Sequence, residues 1–193
     1  MEPLAEKKKA ILESTLKLVK EKGFHGTPMS MVAREAGVAA GTIYHYFASK
    51  EKLICELYTY VNQQMIAAVE KGDDQQLPYK ERFFHIWMNL YRFYESNPNM
   101  LQFFEQFVNS PYNTEKGKEG HDTFHSIMFR FFQRGVDDGF FRDVNPEILG
   151  ILTHGNIIIT AKMQGFGKIA IGDTELQQIA QMLWDGMCPP VRA

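Results

Sequence analysis

Apolar positions recur every three to four residues along the whole chain, and no segment keeps the two-residue alternation of a strand, so the pattern predicts an all-α protein. The first helix is predicted over 5–22, with Ile11, Thr15, Leu18 and Val19 on one face. Gly23 would stop it, and Lys17, Lys20 and Lys22 suit the negative end of its dipole. Thr27-Pro28 reads as N-cap plus first-turn proline of a short helix that ends at Ala36-Gly37. A second short helix is predicted near 41–47, and Ser49 caps a long one over 49–71 with Leu53, Leu57, Tyr60, Val61, Met65, Ala68 and Val69 as its apolar positions. The segment 72–78, Gly-Asp-Asp-Gln-Gln-Leu-Pro, is a break. Beyond it helices are predicted near 79–96, 99–109 and 121–138. Another over 146–164 is opened by Asn145, Pro146 and Glu147, and a last one runs from a capping Asp173 to about Met187. That makes about nine helices.

Length and composition narrow the class without naming a function. At 193 residues the chain fits one sizeable domain, or a small domain fused to a larger one. The uncharged run Ile148 to Ala161, which no other exceeds in length, carries Thr153, His154 and Asn156. It falls short of the roughly 20 apolar residues a bilayer span requires, so no membrane association is expected. Lys7, Lys8 and Lys9 are followed by Glu13 and Lys17 rather than by an apolar signal core. Two distant cysteines, Cys55 and Cys188, suit a reducing cytoplasm and give neither a disulfide framework nor a thiolate metal site. The net charge of −2 hides a split: residues 1–52 hold nine Lys/Arg against six Asp/Glu, and the remainder holds twelve against seventeen. A mildly basic head on an acidic body is compatible with a DNA-binding end.

Two short helices joined by a tight turn are the parts of a helix-turn-helix. In 29–38, Met29, Val32, Ala33 and Ala36 face one way. Ala33 is small enough for close packing, Gly37 permits a left-handed turn, and Val38 fills the corner. The following helix turns Ile43 and Phe47 inward and leaves Thr42, Tyr44, His45 and Tyr46 outside. Hydroxyl and imidazole tips bond phosphates, and rings meet thymine methyls and sugars, so such a face suits DNA. On spacing alone, Tyr44 and Tyr46 read equally well as half-buried aromatics.

The run from Thr27 through Met29, Val32-Ala33, Ala36-Gly37-Val38, Gly41-Thr42-Ile43-Tyr44, Tyr46-Phe47 and Ser49-Lys50-Glu51 to Leu53 resembles the signature of the TetR family of transcription regulators, over roughly a quarter of the chain. The resemblance implies an N-terminal three-helix DNA-binding domain (residues 1–52, with the connecting helix 49–71) and a helical ligand-sensing and dimerisation domain (residues 53–193). It also implies a homodimer, a palindromic double-stranded DNA operator and ligand-controlled release. Carried over by position, it assigns DNA contacts to Ser30, Ala40, Gly41, Thr42, Tyr44, His45 and Tyr46, and a phosphate contact to Lys50. A lysine at a helix N-terminus is also an anion site on physical grounds. Ala40 departs from the family pattern, because it brings no polar group to a position often used to read bases.

In the body, residues 83–141 hold 16 of the 25 aromatics. Phe83, Trp87 and Tyr91 repeat at i, i+4, i+8 as a core face would. Phe103-Phe104-Phe107 and Phe129-Phe131-Phe132 place more ring area around their helices than one face buries. Either a bulky core or an apolar cavity for a small hydrophobic or aromatic effector follows. The cavity reading draws on Trp87, Tyr91, Phe104, Phe107, Phe124 and Phe131, with His154 as a polar contact or a core histidine. His121 and His125, with Glu119 and Asp122, read as an ordinary helix start rather than a metal site, and no cofactor is expected. The helix 146–164 is apolar around most of its circumference, with Gly150 and Gly155 allowing close approach. With Leu176, Ile179, Met182, Leu183 and Trp184 it predicts a two-fold four-helix interface. No nucleophile–histidine pair, phosphate-cradling glycine loop or metal quartet suggests an enzyme. A ligand-independent DNA-binding repressor or architectural protein is the alternative to a ligand-responsive repressor.

Overall fold

The computed structural model describes residues 3–114, 124–165, 167 and 170–190. Among the described residues there are nine α-helices and no strand: α1 (Pro3–Lys22), α2 (Met29–Glu35), α3 (Ala40–Tyr46), α4 (Lys50–Glu70), α5 (Tyr79–Ser96), α6 (Pro98–Val108), α7 (Phe124–Asp137), α8 (Pro146–Gly165) and α9 (Asp173–Met187). The all-α architecture with an N-terminal helix-turn-helix is therefore as expected. Residues 121–123, predicted to open the helix that ends near 138, lie outside the described residues, as do Glu119, His121 and Asp122.

Two helix starts differ from expectation. Thr27 does not cap α2. Its hydroxyl donates back to the Gly23 carbonyl (2.9 Å), one of the acceptors left open where α1 ends. Pro28, extended at φ −72° and ψ 154°, takes the N-cap place instead, and its carbonyl accepts the N–H groups of Met31 and Val32. Asp173 is already helical, so it acts as a dipole-favoured acid in the first turn. Gly172 is the cap residue, and Glu175 Oε2 accepts the Gly172 N–H (2.9 Å). Elsewhere the caps hold: Ser49 Oγ accepts the Lys52 N–H (3.2 Å), and Asn145 Oδ1 accepts that of Glu147 (2.9 Å).

The chain folds as two compact units, one made of residues 1–62 and 98–121, the other of 63–97 and 122–193. In the first unit α1 packs on α2 and α6, and α2 packs on α3. The α1 core face is Ile11, Leu12, Thr15, Leu16, Leu18 and Val19; the Thr15 hydroxyl is satisfied by the Ile11 carbonyl (2.7 Å). From α6, Leu101, Phe103 and Phe107 are buried.

In the second unit α5 and α7 pack on α8, and α5 also packs on α9. Phe83, Ile86, Trp87, Leu90, Tyr91 and Tyr94 of α5 are buried, as are Phe124, Met128, Phe131 and Phe132 of α7. Full burial of a large side chain contributes about 1.5–3 kcal/mol, so these rings are the main support of the unit. Helix α8 has two unlike faces. Leu149, Thr153, Ile157, Thr160 and Ala161 are buried. Ile151 is 70% exposed, and Ile148, Leu152 and Ile159 are about half exposed. With exposed Gly155, these positions recur at i, i+3, i+4, i+7 and i+11, a single uncovered apolar stripe.

Candidate nucleic-acid interface and sensor core

Helix α2 is seated by Met29, Val32 and Ala33, all buried, and α3 by Ile43 and Phe47. The turn between them needs a left-handed residue, and Gly37 supplies it at φ +65°. The Val38 N–H then reaches back to the Ala33 carbonyl (2.9 Å) and closes the turn. Because Ile43 and Phe47 fix the inner side of α3, the outer side is set. Ala40, Gly41 and His45 are exposed, and the Tyr44 ring is 56% exposed. Ser30 is exposed on α2, whereas Thr42 and Tyr46 are half-buried. The Tyr46 ring lies edge-on to His45 (5.7 Å) and tilted beside Phe47 (6.4 Å), so part of its surface belongs to the motif's own packing. An exposed tyrosine beside an exposed imidazole on one short helix offers donors, acceptors and ring faces to a groove.

Lys50, the first residue of α4, is half-buried, and its ammonium donates to the Phe24 carbonyl (2.5 Å). Phe24 lies in the turn after α1, edge-on to Phe103 (5.9 Å) and Tyr112 (5.4 Å). The lysine is thus positioned by the α1–α2 turn as well as by its own helix. Sequence reasoning missed this because a backbone carbonyl leaves no mark on residue type. Other basic groups near the chain start are held in ion pairs: Lys8 with Glu56 (2.9 Å) and Lys17 with Glu35 (2.6 Å). These exposed pairs fix α1 against its neighbours and contribute little stability.

The residues read as a ligand pocket are divided between the two units. Phe104 and Phe107 lie in the first, where Phe107 is fully buried and stacks on Tyr58 at 4.1 Å. Trp87, Tyr91, Phe124, Phe131 and His154 lie in the second. There Trp87 stacks on Tyr91 (5.7 Å), and its indole N–H donates to Asn156 Oδ1 (3.1 Å). Burial, with the Glu95 carboxylate next to it, pushes the Tyr91 phenol up to about 12. His154 is held between rings: Phe124 lies 4.9 Å away, Tyr94 is stacked at 5.9 Å, and the Tyr94 hydroxyl is 2.7 Å from Nε2. Burial pushes the His154 pKa down to about 4, so the imidazole is neutral at pH 7.

A further polar pair in the second unit was not anticipated. Arg82 is only 9% exposed, on the buried side of α5, and forks onto Asp73 through Nε and Nη2 (2.8 Å each). The signal was a charged residue on an otherwise apolar helix face, eight residues after the acidic pair Asp73-Asp74. Among the described residues no group of three or more His, Cys, Asp or Glu is placed to hold a metal ion, and no helix is long and apolar enough to cross a membrane.

Two family models match the chain, one described as bacterial regulatory proteins of the tetR family over residues 11–57, the other as a tetracyclin repressor-like C-terminal domain over 78–188. An uncharacterised helix-turn-helix-type transcriptional regulator of Haemophilus influenzae is 34% identical over 101 residues, which is 52% of this chain and 54% of that relative. The match thus spans about half of that relative's length. The solved structure of a TetR family protein from Vibrio parahaemolyticus is 30% identical, covering 95% of this chain and 99% of that one, with a TM-score of 0.78. The regulator FadR of Bacillus subtilis, solved in complex with stearoyl-CoA, shares the fold at 19% identity and a TM-score of 0.74, over 93% of this chain and 98% of that one. With the second family model alone covering more than half of the residues, and the first lying on the helix-turn-helix, this chain belongs to the TetR family of transcription regulators.

Proposed function

We propose that this regulator is a homodimeric repressor that binds a palindromic operator and releases it when a small, largely apolar effector occupies the helical body. In this reading residues 1–52 carry the DNA contacts, 53–193 carry sensing and dimerisation, and the protein works in the cytoplasm. The observation that supports it most is the outer side of α3. Exposed Tyr44 and His45, with half-buried Thr42, stand opposite the buried Ile43 and Phe47, while Lys50 opens the next helix at a phosphate-accepting end.

Dimerisation is supported by the uncovered stripe on α8 and by Met182 of α9, which is 67% exposed. Such an apolar surface on a water-exposed helix calls for a partner, and an isologous two-fold contact covers both copies at once. Sensing is supported by the ring-rich second unit and by the fold neighbour that holds an acyl thioester. Helix α4 begins at Lys50 and supplies residues to both units, so it is the continuous element that would carry a change between them. Linkage requires the effector to bind the DNA-incompetent state more tightly. A coupling of about 1–3 kcal/mol lowers operator affinity roughly 5- to 150-fold, and operator DNA must weaken effector binding by the same factor.

The test starts with selection of bound duplexes from a random pool. The selected operator is then titrated with and without compounds released from the purified protein and identified by mass spectrometry. No sequence preference in the selection would overturn the operator reading. A compound that binds the body yet leaves operator affinity unchanged would overturn the sensor reading and favour a ligand-independent repressor.

A further inference from the structure

We propose that a cleft in the second unit, between the end of α4, α5 and α7, binds a small amphipathic anion with a compact apolar body and a carboxylate or phosphate head. This names the chemical class of the effector. It rests on the proposed function for its consequence at DNA, though not for binding itself. The cleft holds about 320 Å³, within the range of about 300–1,000 Å³ usual for small-molecule sites. Val69, Ile86, Ile127, Met128 and Phe131 supply apolar walls. Among the described residues, Arg82, Arg130 and Arg134 line the same space together with Glu70 and Asp73.

Arg82 makes the site more than a charged dent in the surface. Its guanidinium lies against the rings of Tyr79 (5.9 Å) and Phe131 (5.7 Å), and Asp73 grips one edge of it. That fork uses two of the five guanidinium N–H groups, and Arg82 itself lines the cleft. The hydrogen bond from Arg82 holds the Asp73 carboxyl below its ordinary pKa, so the acid is already ionised and spent on the arginine. Arg134 is free to turn, because its contact with Asp138 is long (3.4 Å) and exposed. An anionic head meets one oriented and one adjustable guanidinium, while its apolar body covers the Ile86 and Met128 walls. A cation meets guanidinium groups of like charge, and a neutral body forgoes the charge-assisted hydrogen bonds that an anionic head makes.

The experiment uses the full chain and calorimetric titration at fixed ionic strength. The probes are benzoate, octanoate and phenyl phosphate, with benzamide and octanamide as neutral controls. Acids are expected to bind about tenfold or more tighter than their amides, and the carboxylate and phosphate arms decide the head group. Arg134→Gln, a surface change, should weaken the acids about tenfold with helix content intact. Asp73→Asn should lower the melting temperature yet tighten the acids about tenfold, because the guanidinium loses its internal counter-ion. A merely structural Arg82–Asp73 pair would give destabilisation without tighter binding. The proposal is overturned if amides bind as well as acids, if none of the probes binds, or if Asp73→Asn leaves acid affinity unchanged or weaker. Acid binding with both variant effects, but without a change in operator affinity, would establish the site and refute the sensor reading alone.

Discussion

Replacing Ile151 by Asp tests the dimer at its most exposed apolar position. The exposed fractions of Ile148, Ile151, Leu152, Ile159 and Met182 amount to about three whole side chains per protomer. At about 1.5–3 kcal/mol for each side chain buried, two copies gain about 9–17 kcal/mol, opposed by about 4–15 kcal/mol of lost translational and rotational freedom. The surface is therefore of the size a stable dimer needs, with little to spare. Ile151 is 70% exposed, so losing it from both copies removes about 2–4 kcal/mol. That loosens the dimer roughly 30- to 1,000-fold before the desolvation of two carboxylates is added. Sedimentation should show the parent chain at about twice its 22.2 kDa mass at micromolar concentration and the variant at the chain mass, with helix content unchanged. Operator binding should fall with it, since two half-sites must be held about 34–36 Å apart or a multiple of that. A variant that stays dimeric at nanomolar concentration would show that the stripe on α8 is not the interface.

Three further outcomes can be checked in the same preparations. Lys50→Ala should weaken binding to all duplexes alike and reduce the salt slope by about one, while changing Thr42 should shift preference at one base pair by about 1–3 kcal/mol; equal losses on operator and random DNA would make Thr42 a backbone contact. Trp87→Phe keeps the ring but leaves Asn156 Oδ1 without its donor, and should cost about 1–3 kcal/mol in urea unfolding; an unchanged midpoint would mean water replaces the indole. Burial lowers the His154 pKa in the folded chain to about 4, so the unfolded chain takes up a proton first as pH falls below about 6.5. Stability from this group is complete above that pH and is lost on the way down to about 4, amounting to about 2 kcal/mol at pH 5; His154→Gln should remove that part of the pH dependence.

The fold was legible because burial follows helical period here. On α5, Phe83, Trp87 and Tyr91 are buried at the spacing the sequence shows, and Ser49, Asn145 and Gly37 perform the local tasks their residue types suit. The two misread starts have different causes. At Thr27 the hydroxyl had another acceptor within reach, the open Gly23 carbonyl, whereas at Asp173 the helix already includes the acid and Glu175 secures the preceding Gly172 N–H. Local residue type ranks the candidates for a cap, but only the path of the chain decides between neighbours. The outer side of α3 was legible for the converse reason, since fixing Ile43 and Phe47 inward leaves a seven-residue helix one free side.

The aromatic body was harder, because rings at helical spacing fill a core and line a cavity with the same pattern. Phe104 and Phe107 follow α6 into the first unit, while Trp87, Tyr91, Phe124 and Phe131 stay in the second; that division is made by the chain's return at Pro98, and no periodicity marks it. The polar groups among the rings carry more information than the rings do. Tyr94 meets His154 and Trp87 meets Asn156 across 60 and 69 positions, and such pairings leave no trace in local spacing. Each buried polar atom must find a partner or cost about 1–3 kcal/mol, so these pairs fix how α5 and α8 sit together more tightly than apolar contact alone would. A ligand entering this unit has to keep those partners or replace them. Arg82 lines an open cleft while its acid partner uses only part of its bonding capacity, which is why the chemistry of the effector is best sought there rather than from the count of phenylalanines.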